Sequence, residues 1–183
     1  MKPVVLTVSI PATVLSCQVQ ADGDVAEGPD PAVPELQALN HYIGQWEDEI
    51  AGRPQVKRAE TGEWILRGRF LRQSWSAEST DGAPPAQGLT LMTFDTGGKV
   101  YRSWSFLATG SVLEKEGVWD TITKTFTWGH RIAESSETVI TKASFVDEAV
   151  QDWSIVKTDE HGKVVREVVG RSLRRALPAL HAA

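Results

Sequence analysis

The stretch PELQALNHYIGQWEDEI, residues 34–50, decides the fold that this sequence predicts. Its first half has Leu36, Leu39 and Ile43 at the i, i+3, i+7 spacing of a single apolar helix face. Pro34 suits the first position of a helix, where no backbone N–H is needed. The segment therefore predicts a short amphipathic helix that packs one face against the rest of the domain.

Gly44 gives the chain the backbone freedom to leave this helix and enter a long series of strands. After Trp46, polar and apolar residues alternate and turn residues recur about every ten positions, which is typical of an antiparallel sandwich or barrel. Hairpins connect the strands, and closing such a sheet removes its exposed edges. The sequence therefore predicts an all-β fold, a closed antiparallel barrel of about ten strands with a short N-terminal plug helix. The predicted strands are residues 45–50, 57–66, 70–79, 87–95, 99–108, 111–119, 125–132, 137–147, 149–158 and 163–173.

The composition is that of an ordinary globular domain. The chain has 183 residues, of which 41% are apolar and 23% are charged, and this length can bury a substantial core. Its net charge is −5, and no segment gathers the basic density that phosphate contacts require. We therefore expect no nucleic-acid partner.

Residues 1–21 have the pattern of an export signal. Lys2 supplies a minimal positive region, and residues 4–15 form an apolar stretch that is too short to span a bilayer. The alternative is the frayed apolar N-terminus of a cytosolic protein. On the export interpretation the protein is periplasmic or secreted.

Two cleavage sites compete within this segment. Residues 14–17, VLSC, resemble a bacterial lipobox, in which cleavage before Cys17 leaves a lipid-anchored cysteine. Residues 19–21, VQA, fit the small-x-small rule of ordinary signal peptidase. Cys17 is the only cysteine, so no intrachain disulfide can form. A lipid on Cys17 is the only membrane attachment that we expect.

The rest of the chain divides into three further segments. Residues 22–33 are rich in Asp, Gly, Pro and Glu without a hydrophobic period, which predicts a disordered acidic linker. Residues 34–175 form the barrel, and residues 176–183 are expected to be a frayed tail.

A series of short motifs resembles the DUF1579 family, a bacterial family of uncharacterised proteins with a calycin-like β-barrel. The motifs are PEL at 34–36, IGQWE at 43–47, WILRGRFL at 64–71, FD at 94–95 and YRSW at 101–104. They occur in this order between residues 34 and 174, nearly the whole predicted domain. The resemblance implies the calycin-like fold and carries over no catalytic or binding residues.

The Gly44-x-Trp46 motif is also similar to the opening strand of lipocalins. That resemblance implies that Trp46 packs across the barrel floor and that Arg171 or Arg174, near the end of the last strand, covers its ring. Haem barrels that bind nitric oxide share this opening. The chain lacks their longer Gly-rich motif with Tyr-Pro, so we expect no haem, and we expect no other cofactor.

Four of the seven tryptophans, Trp75, Trp104, Trp128 and Trp153, lie in the middle of predicted strands. Such positions either line a cavity that holds a small apolar ligand or simply fill the core of a small barrel. Both interpretations remain open from the sequence.

Three polar residues are further candidates for ligand contact. Arg102 shares a strand face with Trp104; it would pair with a ligand carboxylate if that face points inward, and it is a surface charge if the face points outward. Glu116, two residues after Glu114, and His130, on the face of Trp128, are candidate general bases in an apolar cavity. The alternatives are a solvated outer face for Glu116 and a structural or exposed role for His130. No two histidines have metal-ligand spacing, so we expect no metal.

The sequence thus favours an exported barrel that binds a small hydrophobic or amphipathic molecule. The alternatives are an enzyme that uses Glu116 or His130 as a general base and an interaction module without a ligand. Buried carboxylates facing a cavity would favour the enzyme, an apolar cavity would favour the binding protein, and a filled barrel would favour the interaction module.

Overall fold

The computed structural model describes residues 28–79, 84–132 and 136–175. These residues form a short helix, Pro34–Tyr42, followed by ten strands. Every predicted strand is present, and its ends agree with the prediction to within two residues. The strands are β1 (Gly44–Ile50), β2 (Val56–Ile65), β3 (Phe70–Ser79), β4 (Ala86–Asp95), β5 (Val100–Leu107), β6 (Val112–Asp120), β7 (Thr125–Arg131), β8 (Thr138–Phe145), β9 (Val150–Thr158) and β10 (Val164–Arg174).

The strands close into one antiparallel barrel. Each strand pairs with the next along the chain, and β1 pairs with β10, so that Trp46 lies opposite Arg174. All strand edges in the described part of the chain are therefore paired, which confirms the predicted barrel.

The plug is a 3-10 helix, and this corrects one detail of the predicted amphipathic face. Leu36, Leu39 and Tyr42 are the buried residues, at 1%, 0% and 5% exposure, whereas Ile43 is half-buried. A 3-10 helix has three residues per turn, so positions i, i+3 and i+6 share a face. The prediction used the α-helical spacing i, i+3, i+7 and therefore assigned Ile43 to the buried face. In the structure Tyr42 takes that place and points into the barrel.

Barrel side chains hold the helix across the closed end. Trp64 Nε1 donates a hydrogen bond to Asn40 Oδ1 at 2.8 Å, and the hydroxyl of Tyr101 donates to the carbonyl of Glu35 at 2.7 Å. These bonds satisfy polar atoms that would otherwise be costly in an apolar core.

Trp46 lies on the barrel floor beneath the helix and is only 2% exposed. The guanidinium of Arg174 lies 4.6 Å from the centroid of its ring, and Arg174 Nη2 donates to the carbonyl of His41 at 3.1 Å. Arg171 instead forms an exposed ion pair with Asp152. The predicted buried position of Trp46 is therefore confirmed, and Arg174, one of the two candidates, is the residue that covers the indole.

The chain before the helix contacts the turn between β2 and β3. Asp30 N donates to the carbonyl of Gly68 at 3.0 Å, its carboxylate pairs with Arg69 at 2.7 Å, and Val33 is buried. Residues 28–33, the end of the predicted linker, thus lie against the barrel. The predicted signal peptide with Cys17, the rest of the linker and the predicted tail at 176–183 lie outside the described residues. Within the described ranges, no helix has the length and apolar character needed to cross a membrane.

Candidate functional site

Above the floor the barrel holds a partly open cavity of about 210 Å³. Its lining comes from the plug helix, through Tyr42, and from each of the ten strands described above. Side chains alternate along a strand, so lining residues of the same strand, such as Arg58 and Glu60, lie two positions apart. The interior is therefore only partly filled by the protein's own side chains.

Three tryptophans line the cavity, and each lies against a glycine on the neighbouring strand. A Cβ on any of these glycines would come within 2.6 Å or less of an indole carbon, closer than such atoms approach in folded proteins. The glycines therefore let the rings lie against the barrel wall and leave its centre open. The cross-strand pairs are Trp75 with Gly88, Trp128 with Gly117 and Trp153 with Gly170.

A network of charged and polar side chains occupies one part of the wall. Ser172 Oγ donates to Asp48 Oδ1 at 2.6 Å, and Arg58 Nη1 donates to Asp48 Oδ2 at 2.9 Å. The same guanidinium contacts Glu60 Oε1, and Gln73 Nε2 donates to Glu60 Oε2. Both carboxylates are largely removed from solvent, so these partners replace the water that the charges have lost.

Glu60 has an unusual protonation equilibrium. The pKa of its carboxyl is raised from 4.5 to about 7, mainly by burial; the nearby Asp48 carboxylate contributes to the rise, while Arg58 and the hydrogen bond from Gln73 oppose it. Two carboxylates this close favour sharing a proton. Glu60 is therefore partly protonated near neutral pH.

Lys115 and Trp153 each carry a hydrogen-bond donor that has no partner in the described part of the chain. Lys115 points inward from β6, and burial followed by the positive charge of Arg58 lowers the pKa of its ammonium. Among the described residues, none accepts a hydrogen bond from Lys115 or forms an ion pair with it. Trp153 Nε1 is also buried without an acceptor.

Some other polar atoms around the cavity are paired with one another. The hydroxyls of Thr90 and Ser105 lie 3.0 Å apart, and Trp128 Nε1 donates to the hydroxyl of Tyr42 at 3.1 Å. The guanidinium of Arg58 lies 5.0 Å from the ring centroid of Trp75. Among the cations of the described lining, Arg58 is therefore paired and Lys115 is not.

The structure brings together three of the residues that the sequence singled out, Trp75, Trp128 and Trp153. Trp104 and Arg102 lie on the outer face of β5, because its alternation turns Ser103 and Ser105 inward. Arg102 is thus in the outward orientation, one of the two that the sequence left open.

Glu116 and His130 lie away from the cavity lining. Glu116 is on the outer face of β6 and pairs with Arg102 at 3.1 Å, and Arg102 also contacts Asp95 at 3.0 Å. Nδ1 of His130 lies 2.8 Å from the backbone oxygen of Glu114, near the end of β7. Neither residue lines the cavity in which a general base was predicted.

Sequence reasoning missed the polar wall, although part of its signal was present. Trp46 was expected to point inward, and Asp48, two residues later, must then share its face. If Trp75 points inward, the same alternation turns Gln73, two residues before it, toward the cavity as well. Arg58, Glu60 and Lys115 could be assigned only after the strand register was known, because their own sequence pattern is that of a solvated face.

No protein-family model matches the chain, and no curated protein matches it either. Among solved structures, an S-type phycobiliprotein lyase from Guillardia theta is similar at 12% identity and a TM-score of 0.48, over 76% of this chain and 91% of that chain. A protein of unknown function from the DUF3598 family, from Nostoc punctiforme, is similar at 6% identity and a TM-score of 0.26, over 76% of this chain and 98% of that chain. Superpositions this loose assign neither a ligand nor a reaction to this barrel.

Proposed function

We propose that this protein binds a small amphipathic molecule inside the barrel. The observation that carries the proposal is the open cavity, walled by the rings of Trp75, Trp128 and Trp153 and by a polar network on another part of the lining. Aromatic walls with a few placed polar groups are how proteins usually hold small organic ligands. An interaction module without a ligand has no evident need for this unfilled space.

The size of the cavity limits the ligand. Its volume of about 210 Å³ exceeds the roughly 150 Å³ of an engineered apolar cavity that accepts benzene, and it is below the roughly 300 Å³ at which pockets for drug-sized molecules begin. A ligand of about two fused rings, or an aliphatic chain of similar volume, fits this space.

Native mass spectrometry of the protein purified from its own host tests the proposal. We expect an added mass that denaturation releases. Leu113→Trp places a large ring in the cavity and should abolish the added mass, whereas Val112→Trp, on the exposed neighbouring position, should retain it. Equal retention by both variants would place the bound molecule outside the barrel.

Glu60 supports a second candidate function, an enzyme. A carboxyl with a pKa of about 7 that lines the cavity suits general acid–base chemistry at neutral pH. Binding is favoured over catalysis because the wall itself supplies partners for the oxygens of both Asp48 and Glu60. If the enzyme reading is correct, a host metabolite extract should change in composition with the wild type and not with Glu60→Gln.

We also propose a relationship to the DUF1579 family, which is supported by the order of the short motifs.

We further propose that the protein is exported to the periplasm or secreted, which is supported by the pattern of residues 1–21. Mass analysis of the mature protein from a Gram-negative host tests export. A diacylglyceryl-modified Cys17 would identify a lipoprotein, and a chain beginning at Asp22 would identify ordinary processing. Recovery of a cytosolic chain that retains Met1 would contradict both.

A further inference from the structure

The hydrogen-bond acceptors of the charged wall are used within the protein. Asp48 accepts from Ser172 through one oxygen and from Arg58 through the other. Glu60 contacts Arg58 through one oxygen and accepts from Gln73 through the other. Neither carboxylate therefore needs a donor from a ligand.

One cation of the lining is unused. Lys115 lines the cavity without a hydrogen-bond or ion-pair partner among the described residues. A charged donor that has lost part of its water and gained no partner is unfavourable. An acceptor supplied by a bound molecule would remove that penalty.

The charges of the wall agree with this reading. Arg58 is engaged by Asp48 and Glu60 and lies over the ring of Trp75, so Lys115 is the cation that remains available. Glu60 is partly protonated near neutral pH, so the wall holds less negative charge than its two carboxyl groups suggest. A negative ligand group in the cavity would therefore have Lys115 as its available cationic partner.

We propose that the ligand is an organic anion with a carboxylate-like group, which pairs with Lys115. Its apolar part lies against the indole walls. This inference rests on the proposed function, because it assigns the charge of the molecule that the cavity binds.

Three probes of nearly the same shape test the charge assignment. They are 2-naphthoate, its neutral amide 2-naphthamide, and the cation 2-naphthylmethylammonium, titrated into the full-length protein by calorimetry at pH 7 and low salt. We expect 2-naphthoate to bind at least about tenfold more tightly than the amide, because a charge-assisted hydrogen bond is the stronger one. The ammonium probe should bind least tightly of the three.

Variants of two lysines separate the role of Lys115 from general electrostatics. Lys115→Met should reduce the affinity for 2-naphthoate to about that for the amide, while binding of the amide stays within about threefold. Lys115→Arg should retain the preference for the anion. Lys142→Met, an exposed position on the outer face of β8, removes the same charge and should leave every affinity unchanged.

The outcomes distinguish the two proposals. Equal binding of 2-naphthoate and 2-naphthamide by the wild type, or tighter binding of the ammonium probe, would overturn the anion assignment and leave ligand binding in the barrel intact. A preference for the anion that persists in Lys115→Met would overturn the role of Lys115. If none of the three probes binds, the proposed function fails together with this inference.

Discussion

Trp46 shows how much a single side chain contributes to the closed end of the barrel. Its ring is buried under the plug helix and packs near Phe145, with ring centroids 6.4 Å apart. We expect Trp46→Ala to leave a cavity and to lower the free energy of unfolding by about 3–5 kcal/mol, a large share of the stability of a domain this size. Urea denaturation measures this loss. A midpoint equal to that of the wild type would contradict the floor position of Trp46.

Arg174 depends on Trp46 for its effect. We expect Arg174→Ala to lower the free energy of unfolding by about 1–2 kcal/mol, because its guanidinium covers the indole and binds the helix carbonyl of His41. The loss should shrink in a Trp46→Ala background, since residues in contact are not additive. Arg171→Ala is the matched control: its ion pair with Asp152 is exposed and screened by solvent, so its loss should change stability less than Arg174→Ala does.

Lys115 is expected to reduce the stability of the empty barrel. An inward ammonium without a partner is unfavourable, so Lys115→Met should raise the free energy of unfolding by about 1–2 kcal/mol in the absence of ligand. Lys142→Met, which is exposed, should change it by less than about 0.5 kcal/mol. A loss of stability in Lys115→Met would mean that the ammonium already has a partner within the fold.

At the scale of elements, the pairing of tryptophan with glycine across neighbouring strands shapes the cavity. In Gly117→Ala the new Cβ would lie 2.4 Å from the ring of Trp128, so we expect a loss of about 1–3 kcal/mol and a changed near-ultraviolet circular dichroism spectrum. Gly129, on the outer face of β7, is the control: its nearest neighbour would lie 3.7 Å from a new Cβ. Gly129→Ala should therefore be neutral or slightly stabilising, by less than about 1 kcal/mol. Equal losses would show that the ring of Trp128 does not depend on Gly117.

The boundaries of the elements could be predicted from sequence, but the direction of their faces could not. Turn residues and alternation locate β5, yet its large apolar residue Trp104 points outward while Ser103 and Ser105 point inward. Alternation predicts an inward apolar face only when the interior is a dry core. In a barrel with a polar cavity, apolar side chains have no such preference for the inner face. The sequence therefore could not show whether Arg102 points into the barrel or outward.

At the scale of the whole molecule, Glu60 makes the stability of the fold depend on pH. Its folded pKa of about 7 lies above the ordinary value of 4.5, so between these values the folded state holds a proton that the unfolded state has released. Stability must then fall as pH rises through this window, by up to about 3 kcal/mol. Urea melts of the wild type and Glu60→Gln from pH 4.5 to 7.5 measure the difference, which should shrink or vanish in the variant. A wild-type stability that rises across the window relative to Glu60→Gln would contradict the assignment.

The candidate site was less predictable than the fold because its contacts join distant parts of the chain. Ser172 and Asp48, which share a hydrogen bond, are 124 positions apart, and Gln73 and Glu60 belong to different strands. No local pattern encodes such a pairing. Trp75, Trp128 and Trp153 were found because a large aromatic residue in mid-strand is informative by itself, whereas Lys115 has the ordinary appearance of a surface residue.

The pairing of β1 with β10 has a consequence for the order of events in folding. One edge of β1 can pair only with β10, so the barrel cannot close before the chain has been synthesised as far as Arg174. Contacts this far apart in sequence slow folding, because the entropy of closing a long loop must be lost before the contacts form. A nascent chain that stops after β9 would present two unpaired sheet edges, which invite association with other chains. Chaperones that act on this protein would therefore be needed late in its synthesis, when nine strands exist and the tenth does not.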